Sequence, residues 1–177
     1  FEITEGVFDP LRGTGDFSKL SFSLSNRKFS FSGKSPKKLD FNGFVKGMAV
    51  SEVALLLYRS GLKDFFINAG NGNLAYRVTE DYKRDFPLLN QSFFPEGRKK
   101  IYFLSQSETI QVYGNKKYQH IQGGAKKKLD SGARVMCSLP VSKTSLWVKM
   151  GALSDAFSTA LSIDKSLNLP KSCYLFK

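Results

Sequence analysis

One histidine and two cysteines in 177 residues leave little material for several common chemistries. A lone His120 excludes multi-histidine metal centres. Cys137 and Cys173 lie far apart in the sequence, which excludes a disulfide-rich scaffold and a cysteine-based zinc cluster. Whether the two meet is left open by their spacing. No stretch of about 18 uncharged apolar residues occurs, so no transmembrane helix is expected. There is no repeat of fixed period and no low-complexity tract. The first residue is Phe1 rather than Met, which reads as a processed or partial chain.

What is present suffices for a core: 41% of the residues are apolar and 14% aromatic, so general disorder is not expected. The length suits a single domain spanning residues 1–177. Lys and Arg number 27 against 15 Asp and Glu, a formal net charge of +12. Such a surplus suits nucleic acid, phosphate ligands or acidic lipid. The cations fall in short clusters, Lys37-Lys38, Arg98-Lys99-Lys100, Lys116-Lys117 and Lys126-Lys127-Lys128, which read as solvated turns. A nucleic-acid interface calls for Arg-rich helices or an aromatic–basic ladder. The sequence displays neither, so nucleic acid is not the expected partner.

Apolar periodicity orders the chain. Residues 1–8 are β-prone. Leu20 to Leu24 and Phe29 to Phe31 alternate with a period of two, a strand pair turning near Asn26-Arg27. Residues 33–38 read as a linker. From Gly43 the period becomes helical, with Val45, Ala49, Val53, Leu56 and Leu57 on one face and Gly61 as a left-handed cap. Phe65 to Ile67 reads as a buried strand, and Leu74 to Val78 as its hairpin partner. Residues 79–98 read as an irregular insertion. Residues 101–104 and 109–113 read as another strand pair, 126–130 as a basic loop, and 134–139 as a strand. A second helix is expected over residues 151–163, buried through Leu153, Ala156, Phe157, Ala160 and Leu161. A closing strand follows Pro170. Paired strands with two helices between them predict an α+β fold, mainly antiparallel.

Three segments can carry chemistry. Asp40-Phe41-Asn42-Gly43-Phe44-Val45-Lys46-Gly47 feeds a helix start. Glycines there let backbone N–H groups approach phosphate, and Lys46 adds charge, although a plain helix entry uses the same residues. Asn68-Ala69-Gly70-Asn71-Gly72-Asn73 is either a tight hairpin turn, the favoured reading, or a backbone cradle at a strand end. In Ser154 to Ala160, Asp155 and Thr159 stand at i and i+4 and face one way. A carboxylate and a hydroxyl so placed can share one Mg²⁺, which takes few protein oxygens plus substrate phosphates. The plainer alternative is a helix N-terminus with Ser154 as cap and Asp155 against the dipole.

In order, these segments resemble the FAD:protein FMN transferases, the ApbE-like flavin transferases. Residues 40–47 match the family's Asp-Leu-Gly-Gly-Ile-Ala-Lys-Gly. Asn68-Ala69-Gly70 matches the start of its Asn-Ala-Gly-Gly-Asp, and His120-Ile121 the start of its His-Ile-Ile-Asp-Pro. Ser154 to Ala160 matches its Ala-Asp-Ala-Leu-Ser-Thr-Ala. Phe1-Glu2-Ile3-Thr4 resembles a mid-chain Phe-Asp-Ile-Thr strand, so the likeness spans the chain but not the family's N-terminal portion, which supplies part of the FAD pocket. Asn42, Ser51, Asn71-Gly72-Asn73 and Gln122-Gly123-Gly124 depart from the pattern.

The resemblance implies an extracytoplasmic, often lipid-anchored enzyme. Such enzymes split FAD with Mg²⁺, release AMP and attach FMN to a Thr or Ser of an acceptor protein. It implies Asp155, Thr159 and the carbonyl near Val45 as metal ligands. Asp40, Gly43, Lys46, Asn68, Ala69 and Gly70 would lie along the flavin nucleotide, with His120 and Lys46 at the reaction centre. Two other readings stand beside it: a degenerate relative that binds flavin nucleotide or a partner without turnover, and a basic module for nucleic acid or anionic membrane.

Overall fold

A computed structural model describes residues 2–11, 19–23, 25–33, 39–70, 72–77, 99–107, 109–110, 112–113, 120–121, 127–128 and 132–176. The expected insertion at 79–98 and most of the linker at 34–38 lie outside these residues.

The fold is α+β, as the alternation of patterns implied. The first hairpin pairs β1 (Leu20–Ser23) with β2 (Lys28–Phe31). Helix α1 (Val45–Arg59) leads to β3 (Phe65–Ala69) and β4 (Asn73–Arg77). Then come β5 (Lys100–Gln106), β6 (Thr109–Ile110), β7 (Val112–Tyr113), β8 (His120–Ile121), β9 (Lys127–Lys128) and β10 (Arg134–Pro140). Helix α2 (Trp147–Ile163) and β11 (Cys173–Leu175) close the chain. One five-stranded sheet runs β11-β10-β5-β4-β3, every neighbouring pair antiparallel.

The pleat sorts the side chains of this sheet. Ala75, Ile101, Phe103, Val135, Cys137 and Leu139 face the helix layer, where they meet Val50, Ala54, Leu55, Trp147 and Phe157. Leu74, Tyr76, Tyr102, Leu104 and Met136 form a second buried cluster on the other face. Continuous apolar runs in β5 and β10 reflect this burial on both faces. Helix α1 lies over β3 and β4, and α2 over β5 and β10. Cys137 and Cys173 sit opposite one another in the β10–β11 register and are joined by a disulfide.

Several expectations are corrected. The N-terminal segment is not a strand. Glu2–Thr4 is a 3-10 turn, Glu5 and Gly6 take left-handed backbone, and Thr4 accepts the Val7 and Phe8 N–H groups. Strand β5 does not pair with 109–113; it is central, between β4 and β10, while β6 pairs β9 and β7 pairs β8. Lys127–Lys128, expected in a loop, is therefore a short strand. Strand β3, expected to be buried, is a half-buried edge; its partner β4 is the buried one.

The largest correction concerns α1. Its buried stripe is Gly47, Val50, Ser51, Ala54 and Leu55, whereas Val45, Val53 and Leu56 are exposed, Leu56 by 64%. The inward stripe is rich in small residues because α2 approaches too closely for large ones. Helix α2 starts at Trp147, four residues before the expected Gly151. The expected cap at Gly61 is observed: its φ is +91°, and Gly61 and Leu62 donate to Tyr58 and Leu57 carbonyls.

Candidate functional site

The site begins with a contact between two glycines. A Cβ on Gly47 would run into the Gly151 carbonyl oxygen and lie 2.7 Å from Asp155 Cβ. A Cβ on Gly151 would run into Gly47 and Ser51. Only glycine permits backbones this close. The approach brings the Gly47 N–H within 2.9 Å of Asp155 Oδ2, to which it donates. The Ser51 hydroxyl fills the adjoining space, 2.9 Å from the Gly47 carbonyl and 2.7 Å from that of Met48.

The helix-start alternative for Ser154 and Asp155 does not hold. Both lie two turns inside α2, and the Ser154 hydroxyl donates to the Gly151 carbonyl at 2.9 Å. Asp155 is only 4% exposed. Its pKa is raised from 3.8 to about 6, because burial disfavours the carboxylate more than the Gly47 N–H and the Lys46 charge favour it. Among the described residues, Oδ1 has no hydrogen-bond donor. Lys46 itself is exposed at the start of α1. A buried carboxylate with one oxygen held by a backbone N–H leaves the other for water or a cation.

Thr159, one turn beyond Asp155, is half-buried, and its Oγ1 lies 3.0 Å from Ser107 Oγ. Ser107 directly follows β5. Two residues earlier, Ser105 is buried between α2 and β4: its hydroxyl is 2.8 Å from Ser154 Oγ and donates to Asn73 Oδ1 at 2.7 Å. The β3–β4 loop reaches the same end of β5, where the Gly72 carbonyl accepts the Gln106 N–H at 2.7 Å. Segments 40–47, 68–73 and 154–160 therefore converge on one end of the sheet and helix pair.

Individual expectations fare unequally. Val45 opens α1 two residues before Gly47. Asp40 shapes the helix entry: its N–H donates to the Pro10 carbonyl and its Oδ1 accepts the Asn42 N–H. Gly43 leaves room for the Phe8 ring. Asn68 and Ala69 end β3, paired with Leu74 and Asn73, and Gly70, at φ +64°, starts a three-residue hairpin loop, so the turn reading of this segment holds. His120 lies in β8 opposite Tyr113; its side chain lies outside what is described.

Gly151, Ser105 and Ser107 were not singled out from the sequence. The available signal was spacing, Gly47 to Ser51 and Gly151 to Ser154, small residues at i+4 and i+3 on two helices that need close approach. Among the described residues, no three His, Cys, Asp or Glu side chains cluster. The Asp155 carboxylate and, one turn on, the Thr159 hydroxyl are hard oxygens, the type that Mg²⁺ takes together with water and phosphate. The chain matches no protein-family model, no curated protein and no solved structure.

Proposed function

We propose that the chain is a Mg²⁺-dependent FAD:protein FMN transferase, or the flavin-transferring part of one. The carrying observation is the Gly47–Asp155 hydrogen bond at 2.9 Å. It joins the first and last of the family-like segments through residues 108 positions apart in the sequence. Asp155 and Thr159 would hold the ion, with the Val45 carbonyl. When bound, Mg²⁺ neutralises pyrophosphate charge and orients it for in-line attack. Lys46 supplies a flexible positive charge beside the nucleotide. His120 takes the proton from the acceptor hydroxyl. The bond broken is the FAD pyrophosphate linkage and the bond formed is a phosphoester to Thr or Ser, with AMP leaving. The Cys137–Cys173 disulfide supports an extracytoplasmic setting, since such bonds persist in oxidising compartments.

A second reading, nucleotide binding without turnover, draws on Ser51 and Asn73. Neither is a carboxylate, and both spend their side chains on internal hydrogen bonds. The full-length protein incubated with FAD and Mg²⁺ distinguishes the two. Transfer predicts AMP by chromatography and a flavin-fluorescent acceptor band, both lost in Asp155→Ala. FAD-dependent thermal stabilisation with no AMP would favour binding alone, and neither effect would remove both readings.

A further inference from the structure

The β1–β2 hairpin is amphipathic. Its register places Leu20, Phe22, Phe29 and Phe31 on one face and Ser21, Ser23, Lys28 and Ser30 on the other. On the polar face the Ser21 and Ser30 hydroxyls lie 2.7 Å apart. On the apolar face the Phe22 and Phe29 rings pack with centroids 4.7 Å apart, yet they remain 48% and 53% exposed. An isolated two-stranded ribbon is marginal in water, so covering this face stabilises it.

Charge indicates what covers it. Lys19, Arg27 and Lys28 are exposed around the ribbon, Arg27 at its turn. Between residues 17 and 39 the sequence holds six cations (Lys19, Arg27, Lys28, Lys34, Lys37, Lys38) and no acid, half of the net +12. The ribbon thus joins exposed rings to cations at its two ends, Lys19 and Arg27. Single-stranded nucleic acid is the poorer fit. Its bases stack on free ring faces, whereas these rings pack against each other at an interplanar angle of 38°. Five of the six cations are also lysines, point charges without the guanidinium fork.

We propose that the Leu20–Phe31 face docks on an anionic lipid surface. Phe22 and Phe29 enter the boundary between headgroups and acyl chains, while Lys19 and Arg27, at the two ends of the ribbon, pair with lipid phosphates. The test is co-sedimentation of the full chain with phosphatidylcholine vesicles, with and without roughly 30 mol % phosphatidylglycerol. Binding should require phosphatidylglycerol and fall at high salt. F22S/F29S should weaken it by about tenfold or more. Lys19→Gln and Arg27→Gln should each weaken it about fivefold. The charge variants carry the test independently if the double variant does not fold. Equal binding to neutral vesicles, or charge variants that bind like the parent, would overturn the proposal. So would a folded F22S/F29S that keeps full binding, or a requirement for these phenylalanines in binding oligothymidylate but not vesicles.

Discussion

Two clusters of buried polar groups lie at the two ends of α1, and the protein accommodates them differently. Near the start of α1, Asp155 receives the Gly47 N–H, and Ser51, Ser105, Ser154 and Thr159 all have hydroxyl or carbonyl partners nearby. Near its end, Arg77 Nε and Nη1 and Trp147 Nε1 are buried with no hydrogen-bond partner among the described residues. There the guanidinium stacks 5.1 Å from the Tyr58 ring centroid, and Tyr58 lies 5.1 Å from Trp147. Ring faces receive the Arg77 charge at one end. At the other, one carboxylate oxygen stays without a donor. The Arg77 cluster is explained by packing alone; the Asp155 cluster is explained by packing only up to Asp155 Oδ1.

The comparison can be broken most severely at the glycine contact. Gly47→Val pushes a branched side chain into the Gly151 carbonyl and should cost about 4 kcal/mol or more by chemical denaturation. A smaller loss would mean that the helices part easily and do not fix Asp155. Replacing both cysteines with serine opens a crosslink spanning 36 residues of sequence. The chain-entropy relation puts that loss at about 4 kcal/mol, and it should fall on the whole sheet rather than on either cluster.

Asp155→Asn sharpens the contrast in the opposite direction. The amide oxygen can still accept the Gly47 N–H, but the buried charge is gone. With the parent pKa at about 6, the variant should be more stable than the parent at pH 7.5 by about 3 kcal/mol. A destabilised variant would show that the carboxylate has a partner beyond Gly47 and Lys46. The smallest effect is expected at the other end. Arg77→Met removes a cation with no acidic partner among the described residues and keeps apolar bulk over Tyr58, so stability should change by no more than about 1 kcal/mol, toward greater stability. A loss above about 3 kcal/mol would be the mark of a broken buried ion pair.

The sequence made the fold class and most strand positions legible because alternation and helical spacing are local properties. Gly61 was legible for the same reason: a helix stop followed by a left-handed glycine is contained in a few residues. The inward face of α1 was not. Counting large apolar residues selected Val45, Val53 and Leu56, while burial followed the small residues Gly47, Ser51 and Ala54. What decides that stripe is the distance to α2, a tertiary quantity. The site divides along the same line. Asp155 and Thr159 were legible as an i, i+4 pair, but Ser105 and Ser107 approach them only through the pairing of β4, β5 and β10 with α2 above. The cysteine pairing was likewise illegible, since it follows from the β10–β11 register.

Asp155 as a cation-binding carboxylate is the central claim, and its titration tests it. A pKa raised to about 6 means that its contribution to stability is fully present below pH 3.8 and is lost as pH rises through about 6. Unfolding free energy should be measured from pH 3.5 to 7.5, with Mg²⁺ and with NaCl of equal ionic strength, for the parent and Asp155→Asn. The account predicts that the parent loses stability relative to the variant across that range, and that Mg²⁺ restores it above pH 6 in the parent alone. A parent whose stability ignores Mg²⁺, or a variant that gains as much from it, would contradict the account.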